Sequence, residues 1–212
     1  LALLAGSSAA ICSPAVANDF SGPRIEAMVG WDSVGGELSY EDTASPDDDF
    51  SDDRTTDGIA YGVTAGYDFP LGDIFFAGVE ASFDLSDNKK CEEVFGDDAA
   101  CFKVKRNIAL GGRVGTLLGK KTAMYVGAAY VNGKANVSYT DEADPDFDFS
   151  LSDERDGWRL SAGIEHNLAN ALYAKVEYRY SKYDDYAYAD GTESVTLGFD
   201  RHQVLAGVGA RF

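Results

Sequence analysis

Leu172-Tyr173-Ala174-Lys175-Val176-Glu177-Tyr178-Arg179-Tyr180-Ser181 decides the fold. Leu172, Ala174, Val176, Tyr178 and Tyr180 share one face, and Tyr173, Lys175, Glu177, Arg179 and Ser181 share the other. An alternation of period two is the signature of a β-strand with two unlike sides. The pattern recurs along the chain. Upstream, Trp158, Leu160, Ala162 and Ile164 oppose Arg159, Ser161, Gly163 and Glu165; downstream, Val204, Ala206, Val208, Ala210 and Phe212 oppose Gln203, Gly207, Gly209 and Arg211.

Four more segments repeat the pattern, beginning near Arg24, Gly58, Phe75 and Asn107. A fifth is less clean: Tyr125, Ala129, Val131, Ala135, Val137 and Tyr139 face away from Asn132, Lys134, Asn136 and Ser138, with Val126 and Tyr130 on the polar side. Eight strands result, each near or above the ~9–11 residues that cross a bilayer at a tilt.

The connections come in two kinds that alternate. Pro70-Leu71-Gly72-Asp73, Gly119-Lys120-Lys121-Thr122 and Leu168-Ala169-Asn170-Ala171 are tight turns. Between them lie long acidic stretches around 41–57, 86–101, 141–156 and 184–201. Short turns on one rim and long loops on the other characterise membrane-spanning β-barrels with both termini on the periplasmic side. The reading is an all-β, eight-stranded, antiparallel, up-and-down transmembrane β-barrel. A soluble barrel also has period two, but size separates the cases. The apolar face carries the bulk, including Trp31 and Trp158, as an aromatic girdle at a lipid interface requires. The other face mixes charges with Gly and Ser, which fit the cramped interior of an eight-stranded barrel. The apolar face is therefore expected to meet lipid.

Composition agrees. Gly is abundant at 23, Pro scarce at 5, aromatics make up 12%, and mean hydropathy is −0.22. That value, with no long apolar run after residue 17, excludes a helical membrane protein but not a barrel, whose alternating strands average to low hydropathy. Residues 1–17 read as a secretory signal peptide lacking its basic start: an apolar run, then Ala15-Val16-Ala17 before Asn18-Asp19. Cys12 follows the bulky Ile11, where lipoprotein processing wants a small residue. Residues 18–212 form the expected barrel domain.

Gly157-Trp158-Arg159-Leu160-Ser161-Ala162-Gly163-Ile164-Glu165, followed after a short turn by Ala174-Lys175-Val176-Glu177-Tyr178-Arg179-Tyr180, resembles the signature hairpin of OmpA-like, opacity-type outer-membrane barrels, the "porin family" of Gram-negative bacteria. Val204-Leu205-Ala206-Gly207-Val208-Gly209-Ala210-Arg211-Phe212 is similar to that family's closing strand. The resemblance implies an outer-membrane location, contact with lipid and lipopolysaccharide, and a terminal Phe212 read by the outer-membrane assembly machinery.

Candidate chemistry is sparse. Cys91 and Cys101 are an even pair in an exported chain and read as a disulfide closing one surface loop, with two free thiols as the alternative. The polar face carries Arg24, Glu26, Asp68, Glu80, Asp84, Lys105, Arg113, Arg159, Glu165, Lys175, Glu177, Arg179 and Arg211. Charges buried in a barrel must pair. Two readings stand: a neutral salt-bridge plug, or a narrow porin-like pathway for small solutes.

The net charge of −18 is then expected in the loops. Asp144-x-Asp146-x-Asp148 opens like a calcium loop but continues with Phe149 where Gly is needed and Arg155 where a bidentate Glu is needed. Solvated acidic loops and divalent-cation binding both remain open; nucleic acid is excluded as a partner by repulsion. His166 and His202 are the only histidines. Neither has the Ser and acid spacing of a nucleophilic site, so no catalytic residue and no cofactor are expected. The loops are read as a surface for an unidentified external ligand.

Overall fold

The computed structural model describes residues 20–42, 50–93, 99–140, 149–169, 171–191 and 193–212. The expected signal peptide lies outside them, as do the tips of the acidic connections, including Asp144-x-Asp146-x-Asp148. Strands are β1 (Gly22–Asp42), β2 (Phe50–Leu71), β3 (Phe75–Ser86), β4 (Lys89–Glu93), β5 (Ala99–Leu117), β6 (Thr122–Thr140), β7 (Phe149–Asn167), β8 (Leu172–Tyr183), β9 (Tyr186–Asp190) and β10 (Glu193–Arg211). All pair antiparallel with their neighbours. β1 pairs β10 from Arg24↔Arg211 to Asp42↔Glu193 and closes the ring. β4 continues β3 against β5, and β9 continues β8 against β10, so the barrel wall has eight staves.

The sense of the wall follows from burial. Ile25, Val29, Val79, Leu110, Val114, Val126, Leu160, Val176 and Val208 are about half exposed or more, on the outside. Arg24, Glu26, Asp68, Arg113, Glu165, Glu177 and Arg179 are buried within. A soluble protein cannot leave so continuous an apolar wall in water.

Three expectations need correcting. Among the described residues the acidic stretches are strand rather than loop for most of their length: β1 runs to Asp42, β2 begins at Phe50, β7 at Phe149, and β9 and β10 occupy most of 184–201. Asp is disfavoured in strands as a prior, but neighbouring strands supply hydrogen-bond partners here and pairing overrides it. Strands of 19–22 residues are about twice what a bilayer requires, so their upper halves protrude.

The face of β6 is reversed relative to the sequence reading. Tyr125 and Val131 are buried inside, while Val126 and Tyr130 stand outside. Lys105 is not in the lumen. The β5–β6 register slips between Val104 and Arg106, a bulge whose extra residue sends Lys105 outward and turns Val104 in.

Candidate functional site: the charged lumen

The lumen is an interlocked set of ion pairs in tiers. Near the short-turn rim, Asp68 of β2 accepts Nε and Nη2 of Arg113 at 3.0 and 2.7 Å, and Nη2 of Arg211 at 3.1 Å. Arg24 Nε lies 3.2 Å from the same carboxylate. Glu165 takes Arg211 at 2.8 Å and also holds Arg113. Glu26 accepts Lys175 at 2.6 Å and the Tyr173 hydroxyl at 2.8 Å, while Glu80 pairs with Arg24.

One tier up, Glu177 accepts the Tyr125 hydroxyl, Arg179 Nε and Lys175 Nζ, the last at 3.0 Å. Asp84 takes Arg179 at 3.1 Å and Arg159 at 3.3 Å. Among the described residues, seven buried cations (Arg24, Arg113, Arg159, Lys175, Arg179, Arg201, Arg211) face seven carboxylates (Glu26, Asp32, Asp68, Glu80, Asp84, Glu165, Glu177). The lumen is neutral, and every one of these charges has an opposite charge within reach.

Aromatic rings pack between the tiers. Tyr125, Tyr173 and Phe76 sit opposite Gly163, Gly209 and Gly115 on the adjacent strands. A Cβ at any of the three glycines would run into the facing ring, so absence of a side chain there makes room for the ring. Arg113 lies 4.6 Å over Tyr125, and Arg211 4.9 Å over Tyr173, adding cation–π attraction. A cavity of about 10 Å³ beside Glu80, Ser82, Arg159 and Arg179 has room for about one water molecule.

All ten site residues expected in the lumen (Arg24, Glu26, Glu80, Arg113, Arg159, Glu165, Lys175, Glu177, Arg179 and Arg211) lie on its wall, nine of them paired among themselves and Arg159 joined to Arg179 through Asp84. The sequence reading missed the top tier. Asp32 accepts Arg201 through both oxygens, at 2.6 and 2.7 Å, and further bonds from Ser86 at 2.5 Å and Asn88 at 3.1 Å. Parity could have found both ends: Asp32 continues Arg24, Glu26 and Met28, and Arg201 continues Arg211, Gly209 and Gln203.

Outside the lumen, Cys91 and Cys101 are direct cross-strand partners on β4 and β5, bonded at 2.01 Å. His166 shares a hydrogen bond with Thr122 at 2.9 Å, and His202 one with the Tyr178 hydroxyl at 2.7 Å, with Asp200 3.1 Å from its Nε2. The Phe212 side chain is exposed, and its amide donates to the Pro23 carbonyl.

A profile of the outer membrane protein beta-barrel domain matches residues 1–212. The chain belongs to that family. This outer-membrane barrel is 29% identical over 170 residues to a 22 kDa outer membrane protein of Rhizobium leguminosarum bv. viciae, covering 77% of this chain and 71% of that one. Its fold is similar to that of Neisserial surface protein A, with a TM-score of 0.52, 14% identity and coverage of 91% and 98%. It is also similar to the outer membrane protease OmpT of Escherichia coli, with a TM-score of 0.51, 9% identity and coverage of 90% and 97%. At these identities the solved structures share the fold alone. The outer-membrane barrel's apolar outer wall thus meets lipid.

Proposed function

We propose that this is a non-enzymatic outer-membrane barrel whose lumen is a closed, ion-paired strut and whose working surface is its protruding acidic half. The observation that carries the reading is the seven-against-seven charge balance in the lumen. A conduction path needs continuous water between its walls. Here the groups bond one another directly, and eight staves leave an interior that side chains fill. Lipid and lipopolysaccharide surround the belt, and the assembly machinery engages the closing strand at Phe212. The acidic exterior disfavours nucleic acid and leaves an external ligand as the partner.

Purified barrel in a planar bilayer tests this. The wild type should give a silent trace. Steady ohmic steps at low voltage would overturn the plug and establish a narrow porin-like channel instead.

A further inference from the structure

A stretch of this chain occurs twice. Ser39-Tyr40-x-Asp42-x-Ala44-x-Pro46-Asp47-x-Asp49-Phe50-Ser51, followed by Asp57-Gly58, returns as Ser138-Tyr139-x-Asp141-x-Ala143-x-Pro145-Asp146-x-Asp148-Phe149-Ser150, followed by Asp156-Gly157. The next strands repeat as well: Ala77-x-Val79-Glu80 and Asp87 correspond to Ala174-x-Val176-Glu177 and Asp184. The fold places the copies across the barrel from each other. β2 and β7 are four staves apart in either direction, and Glu80 and Glu177 each hold a lumen arginine.

Both copies end their ladder at the corresponding aspartate, with the rung on β7 two residues further along the ladder than the one on β2. The Asp87 amide donates to the Ile59 carbonyl at 3.1 Å, and the Asp184 amide to the Asp156 carbonyl at 2.8 Å. Above those rungs the described residues show no ladder between β2 and β4, or between β7 and β9. β4 pairs β5, and β9 pairs β10. The protruding half is therefore two separate four-stranded sheets, β9-β10-β1-β2 and β4-β5-β6-β7. Arg155 reaches over the Tyr186 ring at 4.9 Å across one seam, but the backbone does not.

Each seam leaves one long edge. Ile59 and Asp156 direct their backbone groups at the seam, so by alternation Ser51, Asp53, Thr55 and Asp57 do so on β2, and Ser150, Ser152 and Glu154 on β7. Unpaired edges of this length are templates for another strand. Their charge selects the guest. The β2 edge carries Asp52, Asp53 and Asp57 against Arg54, and the β7 edge carries Asp153, Glu154 and Asp156 against Arg155.

We propose that each free edge is a strand acceptor, so that the outer rim takes up two extended, lysine- or arginine-rich peptide segments, one along β2 and one along β7. This rests on the reading that the protruding half is the working surface. Asp53 and Ser152 occupy equivalent positions in the two copies, each with an amide aimed at its seam.

The test is calorimetric titration of the barrel in a zwitterionic nanodisc with a peptide of about ten alternating lysine and threonine residues, long enough to lie along one edge. Two equivalents should bind. Asp53→Pro or Ser152→Pro removes a seam-facing N–H without touching the ladder to β1 or β6 and should each leave one equivalent; the double variant should leave none. Asp53→Asn and Ser152→Ala keep the N–H and should keep both equivalents, the first about two- to fivefold weaker from the lost charge. Wild-type uptake of one equivalent or none would overturn the proposal. So would an unchanged count in the proline variants, or loss of a site in Asp53→Asn. A conducting lumen would overturn the plug while leaving this count of sites standing, so the two readings fail separately.

Discussion

Val204, Ala206 and Val208 stand on the outer wall of β10, while Phe199, Leu197 and Val195, a few residues further along the same strand, turn by parity toward the barrel axis. Phe199 packs there against the buried cluster of Ala109, Val131 and Tyr183. β1 does the same: Val29 and Trp31 are outside, whereas Val34 is buried and Leu38 and Tyr40 fall on its inward side. The polar set changes places with them. Below, charge is inside; above, Asp53, Asp57, Glu154 and Asp156 are on the outer surface. The Asp32–Arg201 pair marks the level of exchange. Apolar groups turn away from water wherever water is: the lower half has lipid outside, the upper half has solvent. One continuous strand serves both, because alternation offers two faces and does not prescribe which is greasy.

The sharpest way to break this comparison is to remove a carboxylate from each half. Glu177→Ala strips a partner from Tyr125, Arg179 and Lys175 in a buried site. It should cost ~3–5 kcal/mol in unfolding from lipid vesicles. Glu154→Ala, on the exposed outer surface, loses only solvent-screened pairs with Lys134 and Arg106 and should lower the unfolding midpoint far less. Equal losses would mean that the two halves are not distinct environments.

Outer-wall valine gives the next effect. Val176→Arg puts a charge in hydrocarbon and should cost ~2–4 kcal/mol if the residue is near the midplane, whereas Thr196→Arg on the protruding outer surface should be silent. The milder swap to Leu sharpens the contrast. Val176→Leu meets fluid lipid and should change nothing, while Val131→Leu, at 0% exposure inside the upper half, should cost ~1–3 kcal/mol through overpacking. A large loss at Val176 and none at Val131 would turn the barrel inside out.

Acid should loosen only the upper half, and weakly. The hydrogen bond from Lys134, with the charge of Arg106, holds the Glu154 carboxyl below its ordinary value of 4.5. A depressed carboxylate stabilises the folded state at neutral pH, and that contribution is lost as the pH falls through and below this range. Protection of the amides around Lys134 and Glu154, taken relative to the acid-slowed intrinsic exchange, should fall below about pH 4, with the membrane belt unaffected. A uniform fall in protection in both halves would contradict the separation.

Much of this was legible from residues, and the inversion explains what was not. The lower strands read correctly because lipid demands an unbroken apolar face. β6 misled because its apolar set belongs to two regimes: Val126 and Tyr130 mark the outer wall below, Val131 and Ala135 the inner side above. Counting the strand as one face gave the upper set the vote. Asp-rich segments read as loops because composition reports solvation, and a protruding strand is as solvated as a loop. Lys105 could not be placed, since a bulge shifts parity without changing any residue type. The seams were invisible for a similar reason, because no property of β2 alone says where β3 ends.

The Cys91–Cys101 bond has a consequence for how the chain gets across the membrane. Exported cysteines oxidise in the periplasm, whereas β4 and β5 carry the bond on the far rim, the one opposite the short turns. The segment between them, with a sequence separation of 10, must then cross as a closed covalent ring rather than as an open thread. Whatever gate admits this hairpin has to be wide enough for a loop already tied.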